Sequence, residues 1–154
     1  SRIEQMGPYR THHYDITRAL GRVILAVDSE RYEISKRLRY ETLDFFENYE
    51  RDYGVTGKSV DELILNVSAY GNMSSPDKLT HRYVTEEVPY GLVAVEAMGR
   101  VVGVPTPRTA AIIELANMAN DVDYRAAGRS FEAMGLAGFD IEGLIDYVTN
   151  GPRT

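Results

Sequence analysis

The sequence predicts an all-α protein, a single helical domain of about seven helices around a buried central helix at residues 88–102. First, apolar side chains recur at helical intervals along most of the chain. Second, residues 88–102 carry only two charged side chains, Glu96 and Arg100, which are predicted to form one thin charged stripe on an otherwise apolar or small surface. Third, 154 residues with 44% hydrophobic content suffice for one domain with a filled core, spanning residues 1–154.

The first half of the chain is predicted to be helical from residue 15 onwards. A series of apolar side chains at helical spacing indicates an amphipathic helix over residues 15–39. This series is Ile16, Leu20, Val23, Val27, Ile34 and Leu38. Helical character continues to Gly54, a natural stop, and Ser59-Val-Asp-Glu62 predicts a capping box at the start of the next helix. Ser75-Pro76 predicts a further short helix, and only residues 9–14 are compatible with a strand.

The second half is predicted to hold the central helix and two more. Pro89 is tolerated in the first turn of a helix, which predicts a start near residues 86–88 and places two glutamates at that end. Thr106-Pro107 predicts the cap of a helix that runs to about Asn120. Its inward residues are predicted to be Ile112, Leu115, Ala116 and Ala119. A last helix is predicted from Asp140 to just before Gly151.

Charge and composition exclude several classes of function. A net charge of −6 and a pI near 5.1 argue against nucleic acid or an anionic membrane surface as a partner. The chain contains no cysteine, which excludes disulfides and thiolate metal sites. The adjacent His12 and His13 would point to opposite faces of an extended segment, so no metal site is predicted. His81, like the other two, is expected to be a surface or partly packed histidine. No signal peptide is recognisable, so the cytoplasm is the expected location.

Three motifs in a fixed order carry a resemblance to a known family. They are Arg82-Tyr-Val-Thr-Glu-Glu87-Val-Pro-Tyr-Gly-Leu, Gly103-Val-Pro-Thr-Pro107 and Gly128-Arg-Ser-Phe-Glu-Ala-Met-Gly-Leu136. The set resembles the α-helical C-terminal domain of the octopine/nopaline (opine) dehydrogenase family, over most of the chain. The resemblance implies an oxidoreductase that condenses an amino acid with a 2-oxo acid and reduces the imine with NADH or NADPH.

The resemblance also implies that the cofactor is bound mainly by an N-terminal Rossmann domain. This sequence has no Gly-x-Gly-x-x-Gly motif following a strand, so no cofactor-binding residue is expected in it. The Rossmann half is expected to be absent from this chain and to act as its partner. The isolated chain is therefore expected to be inactive.

Two site residues follow from the same resemblance. Arg82 occupies the position of an arginine that holds a substrate carboxylate, and Glu87 that of an acid paired with the catalytic histidine. A guanidinium suits the first role because it binds a carboxylate through two parallel hydrogen bonds. The family's usual residue at position 87 is aspartate, so the longer Glu87 alters the geometry, and Glu86 is the neighbouring candidate. The catalytic histidine itself is expected upstream of this chain.

Other interpretations of these residues stay open. Arg82 has the spacing for a local salt bridge with Glu86, and Glu87 for a stabilising role in a helix's first turn. The alternative to a dehydrogenase domain is a free-standing helical module that binds a ligand or mediates oligomerisation without redox chemistry. A homodimer is compatible with either.

Overall fold

The computed structural model describes residues 2–8 and 15–151, without the side chains of Arg2 and Met6, and these residues form helices and turns but no strand. The predicted all-α class is confirmed. Residues 9–14, for which a strand was considered, lie outside the described residues, as do His12 and His13.

The helices follow one another along the chain. They are α1 (Arg2–Met6), α2 (Arg18–Arg37), α3 (Phe45–Tyr53), α4 (Val60–Asn66), α5 (Arg82–Thr85), α6 (Val93–Val102), α7 (Pro107–Asn120), α8 (Tyr124–Ala127) and α9 (Ile141–Asn150). A 3-10 turn covers Ser68–Tyr70, and a π-helical segment covers Glu87–Leu92 between α5 and α6. Among the described residues, no helix is long and apolar enough to cross a membrane.

The chain contacts group into two compact units. Unit 1 comprises Ser1–Ser29 and Thr42–His81, and unit 2 comprises Glu30–Glu41 and Arg82–Thr154. That residues 1–154 form a single domain stays a prediction.

Unit 1 is built around α4. Its buried apolar side chains are Val60, Leu63, Ile64 and Val67. Helix α2 approaches α4 through Gly21, where an added Cβ would lie 3.0 Å from the Cβ of Val60. This close approach uses the glycine face of α2, and Leu20 and Val23, two members of the apolar series that predicted the helix, are exposed.

The helix caps in unit 1 differ from those predicted. The capping box belongs to α3, where Asp44 accepts from the backbone N–H of Glu47, whose carboxylate accepts from that of Asp44. Helix α3 ends at Gly54 as predicted, with φ of 66°. Helix α4 starts after Ser59 as predicted, but the Ser59 hydroxyl makes no capping hydrogen bond.

The prediction of a helix that starts at Ser75-Pro76 is wrong. The segment after the 3-10 turn is irregular, and the Ser75 hydroxyl donates to the carbonyl of Pro76 at 3.0 Å. A serine side chain bonded to its own local backbone competes with helical hydrogen bonds.

Unit 2 holds the predicted central helix. Its two hydrophobic clusters are Val88, Val93, Ile113 and Tyr124, and Ala97, Phe131 and Leu144. Both clusters contain residues of the 88–102 segment, which confirms its central place. Helices α7 and α9 have the predicted bounds within a residue.

The predicted inward face of α7 is wrong for Leu115 and Ala119, whereas Ala116 packs against the cluster that contains Ile113, as predicted. Helix α7 buries Thr109 and Ile113, whereas Leu115 is 58% exposed. Ala119 is exposed as well. The buried face is selected by a polar contact at Thr109, described below, which apolar periodicity alone does not report.

Candidate functional site

The site predicted from the sequence lies on a helical run, residues 82–92, in which one turn is wider than in an α-helix. The backbone N–H of Glu86 donates to Arg82 O at 2.9 Å and that of Tyr90 to Glu86 O at 3.0 Å, as in an α-helix. The N–H of Val93 instead donates to Val88 O, five residues back. The π-helical turn surrounds Pro89, which has no N–H to contribute. Helical turns thus begin at Arg82, four residues before the predicted start at Glu86.

The widened turn leaves the carbonyl of Pro89 available for a hydrogen bond to another segment of unit 2. The N–H of Val93, the regular α-helical donor to Pro89 O, is engaged elsewhere, and Pro89 O accepts from the backbone N–H of Arg129 at 2.9 Å. The preceding Gly128 makes this approach possible. An added Cβ at Gly128 would lie 2.4 Å from Pro89 O and 2.6 Å from Tyr124 O. The motif at 128–136 is thereby joined to the motif at 82–92.

Arg82 forms an ion pair with Glu86. Its Nη2 lies 3.2 Å from Glu86 Oε2, and the two side chains are 67% and 51% exposed. This is the local pair that the spacing allowed. An ion pair this exposed is worth only about 0–1 kcal/mol, so it opens readily for a ligand.

The Glu87 side chain projects from the helical run beside Gly91, on a different side from the Arg82–Glu86 pair. Its Oε2 lies 3.6 Å from the place that a Cβ on Gly91 would occupy, one turn further on. Within residues 2–8 and 15–151, the Glu87 carboxylate makes no hydrogen bond or ion pair. The structure therefore brings Arg82 to Glu86, and leaves the Glu87 carboxylate exposed beside them.

Tyr90 and Arg129 extend this exposed face. The guanidinium carbon of Arg129 lies 5.4 Å from the centroid of the Tyr90 ring, within range of a cation–π contact. Tyr90 is 48% exposed. Arg129 belongs to the third sequence motif, but the sequence predicts no role for it, because a contact between positions 90 and 129 leaves no local signal.

A buried ion pair holds α8 against α6. Glu96, predicted to belong to a charged stripe with Arg100, is buried and accepts two hydrogen bonds from Arg125, from Nε at 2.8 Å and Nη2 at 3.0 Å. Arg125 also donates to Glu114 at 3.1 Å. The hydrogen bond to Glu96 is the main cause that raises the pKa of Arg125, against the effect of burial. The predicted stripe is wrong for Glu96, while Arg100 is exposed.

A second buried carboxylate caps α7. Glu30 accepts from the backbone N–H groups of Arg108 and Thr109, each at 2.9 Å, and from the Thr109 hydroxyl at 2.7 Å. Burial acts to raise the pKa of Glu30, but these hydrogen bonds outweigh it and lower the pKa. Thr106 occupies the predicted cap position without a capping hydrogen bond. The capping carboxylate comes from α2, far away in the sequence.

The second motif forms the turn between α6 and α7. Gly103 ends α6 with φ of 69°, a left-handed conformation that favours glycine. An added Cβ at Gly99 would lie 2.7 Å from Thr106 Cγ2 and 2.8 Å from Val104 O. The small-residue spacing of Gly99 and Gly103 therefore serves a tight turn.

His81 is the one histidine within the described residues, and its side chain is half-buried in unit 1. The described part of the chain contains no group of three or more metal-ligating side chains.

The fold has known counterparts. It matches part of octopine dehydrogenase solved with NADH and L-arginine, with a TM-score of 0.70 and 17% sequence identity over 92% of this chain and 41% of that one. The same enzyme with NADH and pyruvate matches with a TM-score of 0.68 and 16% identity, over 92% of this chain and 40% of that one. The architecture is thus that of the helical part of a larger dehydrogenase chain.

Sequence comparison identifies the family. A model described as the alpha-helical domain of NAD/NADP octopine/nopaline dehydrogenase matches residues 1–120. An opine dehydrogenase of Arthrobacter sp. (strain 1C) is 33% identical over 148 residues, which is 96% of this chain and 41% of that protein. Vitopine synthase of Allorhizobium ampelinum is 26% identical, over 92% of this chain and 39% of that protein. The chain belongs to the octopine/nopaline dehydrogenase family, and it spans about two fifths of the length of these relatives.

Proposed function

We propose that this chain is the substrate-binding helical domain of a cytoplasmic, opine-type dehydrogenase. The complete enzyme would reduce the imine formed between an amino acid and a 2-oxo acid, with NADH or NADPH as the reductant. The observation that carries the proposal is an exposed arginine, Arg82, beside an exposed carboxylate, Glu87, on the π-helical run formed by the family's first motif.

In this proposal, Arg82 binds a carboxylate of the substrate. Its guanidinium is two-thirds exposed, and its present partner, Glu86, is held at 3.2 Å in a weak surface pair. An incoming carboxylate can replace Glu86 and accept two parallel hydrogen bonds from the guanidinium fork. Glu86 then acts as a placeholder for the substrate.

Glu87 is the acidic partner of a catalytic histidine supplied by another part of the enzyme. A carboxylate that accepts a hydrogen bond from one ring nitrogen orients the imidazole and stabilises its protonated form. Glu87 is suited to this role because its carboxylate is exposed and engaged by no described residue. Glu86, which is paired with Arg82, is the weaker candidate.

The described residues of this chain lack the strand–loop–helix element that ordinarily binds a dinucleotide. The sequence has no Gly-x-Gly-x-x-Gly, and the described residues form no strand from which such a loop could lead into a helix. A groove of about 270 Å³ beside α6 is lined mainly by aliphatic side chains such as Leu38 and Met98, with no cluster of donors for a pyrophosphate. The cofactor is therefore assigned to an N-terminal Rossmann domain, and this chain contributes substrate binding.

An apolar face of α7 supports a protein partner of this kind. Leu115 and Met118 are 58% and 66% exposed, one helical turn apart, and Ala111 extends the same face. Exposed apolar side chains at helical spacing favour contact with another polypeptide. The Rossmann domain is the proposed occupant, and a Met118→Lys change should weaken its association.

The proposal is tested by a domain exchange. This chain replaces the matching region of the Arthrobacter opine dehydrogenase, and NADH oxidation is followed with pyruvate and a panel of amino acids that begins with L-arginine. Turnover that requires both substrates supports the proposal. A folded, nucleotide-binding chimera that oxidises no NADH or NADPH with any pair of substrates would refute it.

Adjacent glutamates provide a matched control for the site. Glu87→Gln should lower kcat by roughly 100-fold, because the histidine loses its orienting charge, while Glu86→Gln should leave kcat within about twofold. Arg82→Ala should raise KM for one substrate by about 10- to 100-fold. A large effect of Glu86→Gln with none of Glu87→Gln would transfer the acidic role to Glu86.

The alternative, a binding module without redox chemistry, is separated by calorimetry. The chain alone is titrated with L-arginine and pyruvate, with and without NADH. Binding of L-arginine and pyruvate that is as tight without nucleotide and a second domain as with them favours the module. Binding of these substrates that becomes markedly tighter when NADH and the Rossmann domain are added favours the dehydrogenase domain.

A further inference from the structure

We infer that Arg129 is a second carboxylate-binding residue, which together with Arg82 selects ligands that carry two carboxylates around a positively charged nitrogen. The inference rests on the proposed function, and it assigns a role to a motif that the function above leaves unused. Arg129 lies beyond residues 1–120, to which the family model matches.

The backbone fixes Arg129 beside the helical run. Its N–H donates to Pro89 O at 2.9 Å, and Gly128 allows the two segments to touch at a distance that no side chain would permit. On the other side, Arg125 is tied to the buried Glu96 by two hydrogen bonds. Arg129 is therefore anchored by contacts that do not involve its own side chain.

The guanidinium of Arg129 remains available to a ligand. It stands over the Tyr90 ring at 5.4 Å, and the residue is exposed. Stacking on an aromatic ring occupies a face of the guanidinium plane and leaves the N–H groups at its edges for a carboxylate. Stacking also limits the rotamers of a long side chain, which lowers the entropic cost of binding.

The two arginines lie along one face of the helical run. Arg82 contacts Glu86, Arg129 stands over Tyr90, and those two helix positions are joined by a backbone hydrogen bond across one turn. Two carboxyl carbons linked through two α-carbons and a nitrogen are four bonds apart, at most about 5 Å. Both exposed arginine side chains would converge on one such ligand, with one carboxylate at each guanidinium.

The charges along this face alternate in an order that is complementary to the charges of such a ligand. Along the helical run, Glu86 lies between Arg82 and the Tyr90 ring that carries Arg129, which gives a positive, negative, positive order. A secondary amine or imine with two carboxylates presents negative, positive, negative when its nitrogen is protonated. A ligand with a single carboxylate would leave one arginine without a partner, so it should bind more weakly.

The test compares iminodiacetate, which has two carboxylates, with N-methylglycine, which has one carboxylate and the same kind of amine. Their binding to the 154-residue chain is followed by NMR chemical-shift titration. The wild-type chain should prefer iminodiacetate by about tenfold, the size of one charge-assisted hydrogen-bonded contact. Arg129→Ala should abolish this preference, and Arg129→Lys should restore only part of it.

Three control variants make the result specific. Tyr90→Phe keeps the aromatic ring and should behave as wild type, and Tyr90→Ala should weaken binding. Arg39→Ala removes an exposed arginine that pairs with Glu142 elsewhere in unit 2, and should have no effect. A far-UV circular dichroism spectrum confirms that each variant is folded.

The outcomes separate this inference from the proposed function. If the wild-type chain shows no preference, or Arg129→Ala retains it, the second carboxylate site is refuted. If Arg82→Ala raises KM for one substrate of the chimera while Arg129→Ala leaves both KM values unchanged, the dehydrogenase assignment stands without the inference. An Arg129-dependent preference in a chain whose chimera has no turnover would preserve the two-arginine site and refute the dehydrogenase.

Discussion

Replacing Gly128 by alanine should destabilise unit 2 strongly, because there is no room for a methyl group. The added Cβ would lie 2.4 Å from Pro89 O and 2.6 Å from Tyr124 O. A carbon and a carbonyl oxygen ordinarily approach to about 3.4 Å, so one backbone segment must move by about 1 Å. Both oxygens belong to the backbone, and neither can rotate away as a side chain would.

The expected cost has two parts. Forcing an extra methyl into a tight contact costs about 1–3 kcal/mol. Movement of Gly128 also breaks the hydrogen bond from Arg129 N–H to Pro89 O, which is worth about 1 kcal/mol or more. The sum is about 3 kcal/mol, which for a chain of this length lowers Tm by roughly 6–12 °C.

The assay combines thermal unfolding, followed by circular dichroism, with hydrogen exchange at the Arg129 amide. Gly91→Ala is the matched control because an added Cβ there meets only Glu87 Oε2 at 3.6 Å, an ordinary contact. In a helical segment this change should be neutral or stabilise by up to about 1 kcal/mol. If Gly128→Ala keeps the wild-type Tm and the Arg129 amide stays protected, the packing argument is refuted.

Three further predictions concern the buried carboxylates and one cap. Glu96→Ala should cost about 2–3 kcal/mol in chemical denaturation, less than for a fully buried pair because Arg125 is 33% exposed; a cost below about 0.5 kcal/mol would contradict this. Glu30→Gln should flatten the acid limb of the stability–pH curve. The pKa of Glu30 in the native state lies below the unfolded value of about 4.3, so the ionised carboxylate stabilises the folded state above that pH. This stabilisation is lost as the pH falls through the native pKa. An unchanged acid limb would exclude Glu30 as its source. Asp44→Ala should destabilise α3 by about 1 kcal/mol, seen as faster hydrogen exchange at the Glu47 amide, and an equally protected amide would count against the cap.

The sequence predicts those features of the fold that are local. Helix α3 ends at its predicted stop, and helices α7 and α9 start and end close to their predicted bounds, since turn residues such as Gly54, Pro107 and Asp140 act within a few positions. The central position of α6 follows from its apolar composition. These signals need no knowledge of the partner segment.

The features that the sequence did not predict depend on distant partners. Glu30 caps α7 from a helix 78 positions earlier, and Glu96 is buried because Arg125, 29 positions later, neutralises it. Charged residues are ordinarily assigned to the surface, so both carboxylates are misplaced until their partners are known. The same limit applies to the outward face of α7, whose buried side is fixed by the contact of Thr109 with Glu30.

The site combines both kinds of information. Arg82 and Glu87 were selected through a local motif, and the structure adds that Glu86 competes for Arg82 and that Arg129 joins the same face. The π-helical turn explains why these motifs belong together. Pro89 disrupts the α-helical pattern, the carbonyl that this releases holds Arg129, and only a glycine at position 128 permits the contact. The proposed carboxylate-binding surface would in this way be set by the backbone before any substrate arrives, an arrangement that makes ligand binding selective at low entropic cost.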